Sequence, residues 1–142
     1  MDRVVADASV LVKIFLNEEY SDQAIALRDA YVSGCIAMFE PSLVIYEVLN
    51  AIRYTNARKF TLEQLKTVIQ SLHQYQFSTA EINQEFAAKS AEISLKYGIS
   101  IYDAAYIALA ETTGSEFYTA DDRLIKVVGL RFVKHIKEFK IR

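Results

Sequence analysis

The chain has 142 residues, of which 52% are apolar and 24% charged, and its formal net charge is −2. These proportions exclude a disordered or fibrous chain and lead to the expectation of one globular domain, residues 1–142, with a sizeable core. The overall balance says nothing about nucleic acid, but the charge is uneven: residues 123–142 carry Arg123, Lys126, Arg131, Lys134, Lys137, Lys140 and Arg142 against one acid, Glu138.

In chain order, "DRVVAD" at residues 2–7 reads as a short buried strand, after which Ser9 caps a helix through "VLVKIFLNEE". This opening apolar run is interrupted by Asp7 and Lys13 and has no small-residue cleavage site after it. It is also too short and too charged to span a bilayer, so neither a leader nor a membrane is expected. Residues 22–31 place Ala24, Ile25, Leu27 and Ala30 on one face, as in a surface helix. "CIAMFE" is a second strand, stopped by Pro41. Cys35, its leading residue, is the only cysteine, so no internal disulfide is possible; a core position and a reducing cytoplasm are expected.

Ser42 is placed to cap a long helix over "LVIYEVLNAIRYTNA", and Thr61 with Gln64 fits a capping box before "LEQLKTVIQSLHQY". "QFSTAEI" supplies a third strand, and Asn83 caps "QEFAAKSAEISLKYG", which stops at Gly98. "GISIYDAAYIALA" is the next helix, ending near Gly114. "EFYTA" is then a strand, "DDRLIKVVG" a helical turn or two, and "LRFVKHI" a last strand. Short strands alternating with helices indicate an α/β fold with a mainly parallel sheet of four or five strands. In such sheets ligands bind beyond the carboxyl ends of the strands.

Four acids fall at that edge. Asp7 follows the first strand and Asp121 follows "EFYT"; Glu47 and Asp103 lie early in helices able to cover the same edge. Three have ordinary explanations when taken singly. Asp7 suits a helix start. Ser100 and Asp103 match a capping box, with Asp103 favoured by the helix dipole. Thr119 and Asp122 match another, which leaves Asp121 beside the cap rather than in it. Glu47 is harder to dismiss. It lies beyond the first turn counted from Ser42, on a narrow polar face with Asn50 amid Val44, Ile45, Val48 and Leu49. Carboxylates that converge repel one another, and a hard cation relieves the repulsion. Mg²⁺ and Mn²⁺ both take carboxylate and water ligands. No softer site competes: Cys35 has no partner thiol, and His73 and His135 lack ligand spacing.

The segments "VVADASVLVKIF", "SLVIYEVLNAI", "GISIYDAAYIALA" and "EFYTADDRLI" together resemble, in family order, the blocks of PIN-domain nucleases, most of all the VapC-type toxins of toxin–antitoxin pairs. The resemblance implies a three-layer α/β/α sandwich and Mg²⁺- or Mn²⁺-dependent cleavage of RNA. It assigns Asp7, Glu47, Asp103 and Asp121 as the catalytic, metal-holding acids, with Ser9, Thr119 and Asp122 as secondary residues. It also implies an antitoxin partner and a homodimer. Arg123, Lys126 and Lys13 are the candidate cations for the RNA backbone, and Tyr46, Tyr102 and Tyr106 are either base-stacking or core aromatics. Other readings of the same acids are a nuclease acting in RNA processing or on DNA, a Mg²⁺-dependent phosphatase, and a Mg²⁺-binding domain without catalysis. A receiver-like domain is disfavoured, because one Asp rather than a pair follows the first strand.

Overall fold

The computed structural model describes residues 1–55 and 59–141. Its first strand, β1 (Asp2–Ala6), leads into α1 (Ala8–Phe15) and α2 (Ser21–Val32). β2 (Ile36–Pro41) follows, then α3 (Val44–Arg53), α4 (Leu62–Tyr75) and β3 (Ser78–Ala80). The remainder is α5 (Gln84–Tyr97), α6 (Ile101–Thr113), β4 (Glu116–Thr119), α7 (Asp122–Val128), β5 (Val133–His135) and a 3₁₀ turn, Ile136–Glu138. The five strands form one sheet in the order β3-β2-β1-β4-β5, with every pairing parallel.

Two-residue alternation sorts the strand side chains between two cores. Val4, Ala6, Met38 and Tyr118 pack on one side of the sheet with residues of α1, α2, α3 and α4. Val5, Phe117 and Val133 pack on the other with residues of α5, α6 and α7. The result is the three-layer sandwich. A sheet covered on both faces needs strands apolar on both faces, which is why "VVA" in β1 shows no polar alternation.

Helix ends follow local chemistry. Thr61 and Gln64 form the expected capping box, and Asn83 Oδ1 accepts from the Phe86 amide. Gly98, at φ +67°, ends α5 in the left-handed conformation that glycine adopts without a Cβ penalty. Ser100 Oγ then accepts from the Asp103 amide, starting α6 two residues later.

Several expectations are corrected. Ser9 lies inside α1 rather than capping it, and α1 stops at Phe15 because Leu16 is already extended. α3 begins after Leu43, with no side-chain cap from Ser42. That helix ends at Arg53; the further extension expected over Asn56 and Ala57 lies outside the described residues, as does Arg142 of the basic run. Cys35 is exposed, because the chain enters β2 only at Ile36 and Cys35 still belongs to the preceding turn, where it accepts from Ser33 Oγ. His135 is on edge strand β5 and buried, edge-on to Tyr20. None of the described helices is long and apolar enough to cross a membrane.

Candidate active site

β1 and β4 are neighbours in register, Ala6 opposite Tyr118, so Asp7 and Thr119 meet where the two strands end. Asp7 is only 6% exposed and stands at the N-cap of α1, yet its carboxylate makes no capping hydrogen bond. Instead Thr119 Oγ1 donates to Oδ2 at 2.6 Å and Ser9 Oγ donates to Oδ1. Both hydroxyls also accept, Ser9 from the Ala120 amide and Thr119 from the Asp121 amide. The loop after β4 is thereby tied to the loop after β1.

Glu47 lies in the opening turn of α3, since the helix starts at Val44. It caps nothing. Its Oε2 accepts from the hydroxyl of Tyr106, a buried residue of α6 whose ring stacks on Phe117 of β4 at 5.7 Å between centroids. Burial first, then the charges of Glu40 and Glu47, push the Tyr106 hydroxyl well above its ordinary pKa, so it remains a donor at neutral pH. Of the three tyrosines considered from sequence, Tyr106 is therefore the core residue, while Tyr46 and Tyr102 are exposed.

Asp103, in the first turn of α6, shares an open hollow with Ser100, Asp121, Arg123 and Leu124. Asp121 is itself the N-cap of α7, its Oδ1 accepting from the Leu124 amide at 3.1 Å, so the cap falls two residues later than Thr119, the cap that the Thr119–Asp122 spacing suggested. Asp122 points outward, 3.8 Å from His135 Nε2. Arg123 is the expected cation that shares a hollow with the acids. Lys126 is exposed along α7, whereas Lys13 is buried and its ammonium is bound to Glu18 at 3.0 Å. Lys13 is thus committed to a protein partner and does not face the acids' hollows.

Glu40 is the residue that sequence reasoning missed. It is the penultimate residue of β2 and fully buried. Its Oε1 accepts from the Ala6 amide at 3.0 Å, one residue before Asp7. Its Oε2 has no hydrogen-bond partner among the described residues. An alternating strand pattern gave "FE" no reason to turn a glutamate inward; the available signal was a lone charge directly before the strand-ending proline.

The acids raise one another's pKa values. Asp7 is lifted from 3.8 to about 6, chiefly by burial and further by the charge of Asp103, against the pull of the Ser9 and Thr119 hydroxyls. Glu47 and Asp103 are raised by burial, then by Asp103 and Asp121 respectively, with hydrogen bonds from Tyr106 and Ser100 opposing. Glu40 is raised well above the ordinary range by burial, with Asp7 and Glu47 adding to it. Such a set favours a proton or a cation. Its donors are all hard oxygens, which suits a small divalent ion rather than a soft one. Among the described residues no three His, Cys, Asp or Glu side chains already close around one point. The fit is therefore to an ion held by one or two carboxylates with water completing its shell, the habit of Mg²⁺, and not to an all-protein cage.

An all-parallel sandwich with acids gathered at the carboxyl edge of its central strands defines an open-sheet protein whose chemistry lies beyond the strand ends. The chain belongs to the PIN-domain family, whose model, described as "PIN domain", matches residues 4–130. Ribonuclease VapC3 of Pyrobaculum aerophilum is 30% identical over 126 residues, covering 86% of this chain and 92% of that protein. The fold is shared with a toxin–antitoxin complex from Klebsiella pneumoniae, at a TM-score of 0.68 and 19% identity over 96% of this chain and 99% of that one. It is shared also with the DNA-bound VapBC of Salmonella typhimurium, at a TM-score of 0.66 and 15% identity over 96% and 99% of the two chains.

Proposed function

We propose that this chain is a metal-dependent ribonuclease that hydrolyses RNA phosphodiester bonds, as the toxin of a toxin–antitoxin pair. The observation that carries the reading is the seating of Asp7 at the junction of β1 and β4, with Asp103 near enough to Asp7, to Glu47 and to Asp121 for the charges of each pair to be felt. Membership of the PIN-domain family and the likeness to a protein named as a ribonuclease support it.

A bound Mg²⁺ or Mn²⁺ would polarise a phosphate oxygen and lower the pKa of an attacking water. Asp7, Glu47, Asp103 and Asp121 are the residues to hold it, in part through water. Ser9 and Thr119 fix the Asp7 carboxylate from both sides, so its remaining lone pairs keep one orientation. Tyr106 does the same for Glu47. Arg123, beside Asp103 and Asp121, offers a cation to the backbone that approaches the acids. The antitoxin partner belongs to the same proposal. Like its homodimer, it would cover apolar surface that the fold leaves open, such as Tyr54 and Leu62 at the ends of α3 and α4. α1, by contrast, spends its apolar face on the core.

The test is cleavage of single-stranded RNA by the purified chain and its Asp103→Asn variant with Mg²⁺ or Mn²⁺, alongside DNA and a phosphomonoester. The wild type is expected to cut RNA in a metal-dependent way and the folded variant to lose that activity. Undiminished RNA cleavage by Asp103→Asn refutes the site, and preference for DNA or a phosphomonoester refutes the substrate.

A further inference from the structure

Tyr102 and Asp103 are adjacent at the start of α6, yet they line different hollows. Asp103 opens toward Asp121 and Arg123, whereas Tyr102 lines a second open hollow of about 350 Å³ with Leu43, Tyr46, Glu47 and Asn50. Tyr46 immediately precedes Glu47 on α3. Both rings are far from buried, Tyr46 at 73% and Tyr102 at 60% exposure, and among the described residues neither packs on another aromatic ring. Two large aromatic side chains left open in the lining of one hollow are surface that a ligand with an apolar face would gain by covering. Neither serves the core, which takes Tyr106 instead.

Resting on the ribonuclease reading, we infer that Tyr46 and Tyr102 form a base-binding subsite, a platform on which an unpaired nucleobase stacks while its phosphate lies at the acids, with Asn50 at the base edge. Continuity between the hollow and the acids, through Glu47, selects this occupant. Arg123, and on the ribonuclease reading a cation held by the acids, supply the positive charge that suits a phosphate, and the tyrosines supply faces that suit a base. A base held in a duplex has its faces already covered by its neighbours. The platform therefore discriminates for single-stranded RNA. It tolerates different bases, because every base has a π-face, and any preference would come from the amide of Asn50, which both donates and accepts.

The experiment measures binding of a short fluorescently labelled single-stranded RNA in the Asp103→Asn background, and kcat and KM for cleavage of the same RNA in the otherwise wild-type chain. Tyr46→Ala and Tyr102→Ala are each expected to weaken binding and raise KM by about tenfold, while Tyr46→Phe and Tyr102→Phe retain wild-type values because stacking needs the ring and not the hydroxyl. The same RNA annealed into a duplex is expected to bind with no dependence on either ring. Because both rings are exposed, the alanine variants keep the core, and an unchanged melting midpoint verifies it. Wild-type affinity and KM in both alanine variants, with the wild type cleaving RNA, overturn the subsite and leave the ribonuclease reading standing. A wild type that cleaves no RNA with either metal, yet binds it in a ring-dependent way, overturns the ribonuclease reading and leaves the subsite standing.

Discussion

Thr119 Oγ1 donates a hydrogen bond to Asp7 Oδ2 at 2.6 Å, joining two residues 112 positions apart in sequence. The same hydroxyl accepts from the Asp121 amide, so one threonine links the acid after β1 to the acid after β4. Thr119→Val preserves shape and removes the hydroxyl. It is expected to cost about 2 kcal/mol in denaturant unfolding, because a hydrogen bond to a buried charged group is lost. Metal-dependent cleavage should fall by about ten- to a hundredfold, the usual cost of removing a partner that orients a metal-holding group. Thr119→Ser restores both measurements if the hydroxyl is the cause.

The raised pKa of Asp7 makes metal-free stability depend on pH with a definite sign. Between 3.8 and about 6 the folded chain holds a proton on Asp7 that the unfolded chain has released. Stability of the metal-free protein therefore falls as pH rises through that window, by about 3 kcal/mol from this group, and levels off above it. Glu47, Asp103 and Glu40 are raised too and act in the same direction. Mn²⁺ competes with these protons, so the rise it causes in melting midpoint should grow as pH increases through about 6. Thermal melts across pH in EDTA and in Mn²⁺ read both effects, and a metal-free midpoint that rises across the window contradicts the assignment.

Tyr106→Phe keeps the ring on Phe117 and removes only the donor to Glu47. Steady-state cleavage is expected to drop by about tenfold, since Glu47 loses the bond that orients it. Unfolding should shift by no more than about 2 kcal/mol, in either direction, because the charge it served is half-buried.

Glu40→Gln retains an acceptor for the Ala6 amide while removing a buried ionisable group, and its unfolding free energy is expected to stay within about 1 kcal/mol of wild type at neutral pH. Glu40→Ala leaves that amide unpaired and opens a cavity beside β1, at a cost of about 2–4 kcal/mol. Equal effects of the two variants would show that the side chain's hydrogen bond to Ala6 is irrelevant.

Arg123 and Lys13 separate two roles of positive charge. Arg123→Ala is expected to weaken RNA binding and to reduce the slope of log affinity against log salt by about 1, as for a lost phosphate contact. Lys13→Met breaks the ion pair with Glu18, and its effect, about 1 kcal/mol, belongs in the unfolding curve with the salt slope unchanged.

The order of strands and helices was legible in the sequence because each boundary carries its own chemistry: Thr61 and Gln64, Asn83, Gly98 and Ser100 act within a few residues of themselves. Asp7 and Asp121 were legible as near neighbours because parallel strands deliver their carboxyl ends to one edge. Relationships across the chain were not. Nothing near Glu47 names Tyr106 as its partner, and nothing near Glu40 announces the Ala6 amide. Lys13 reads as a free cation until the turn after α1 brings Glu18 back to it. The caps of α1 and α7 were misassigned because two short polar side chains compete at each start, Asp7 with Ser9 and Thr119 with Asp121, and the bond that Thr119 makes to Asp7 across the chain is not visible in either segment.

The pairing of β1 with β4 also sets a schedule. A ribosome releases Asp7 and Glu47 well before Asp103 and Asp121, and β1, which has β2 within its reach early, cannot acquire β4 until residues 116–119 have emerged. Until then the nascent polypeptide carries half a centre. On the ribonuclease reading, the chain is thereby made at least through β4 before it is able to cut RNA.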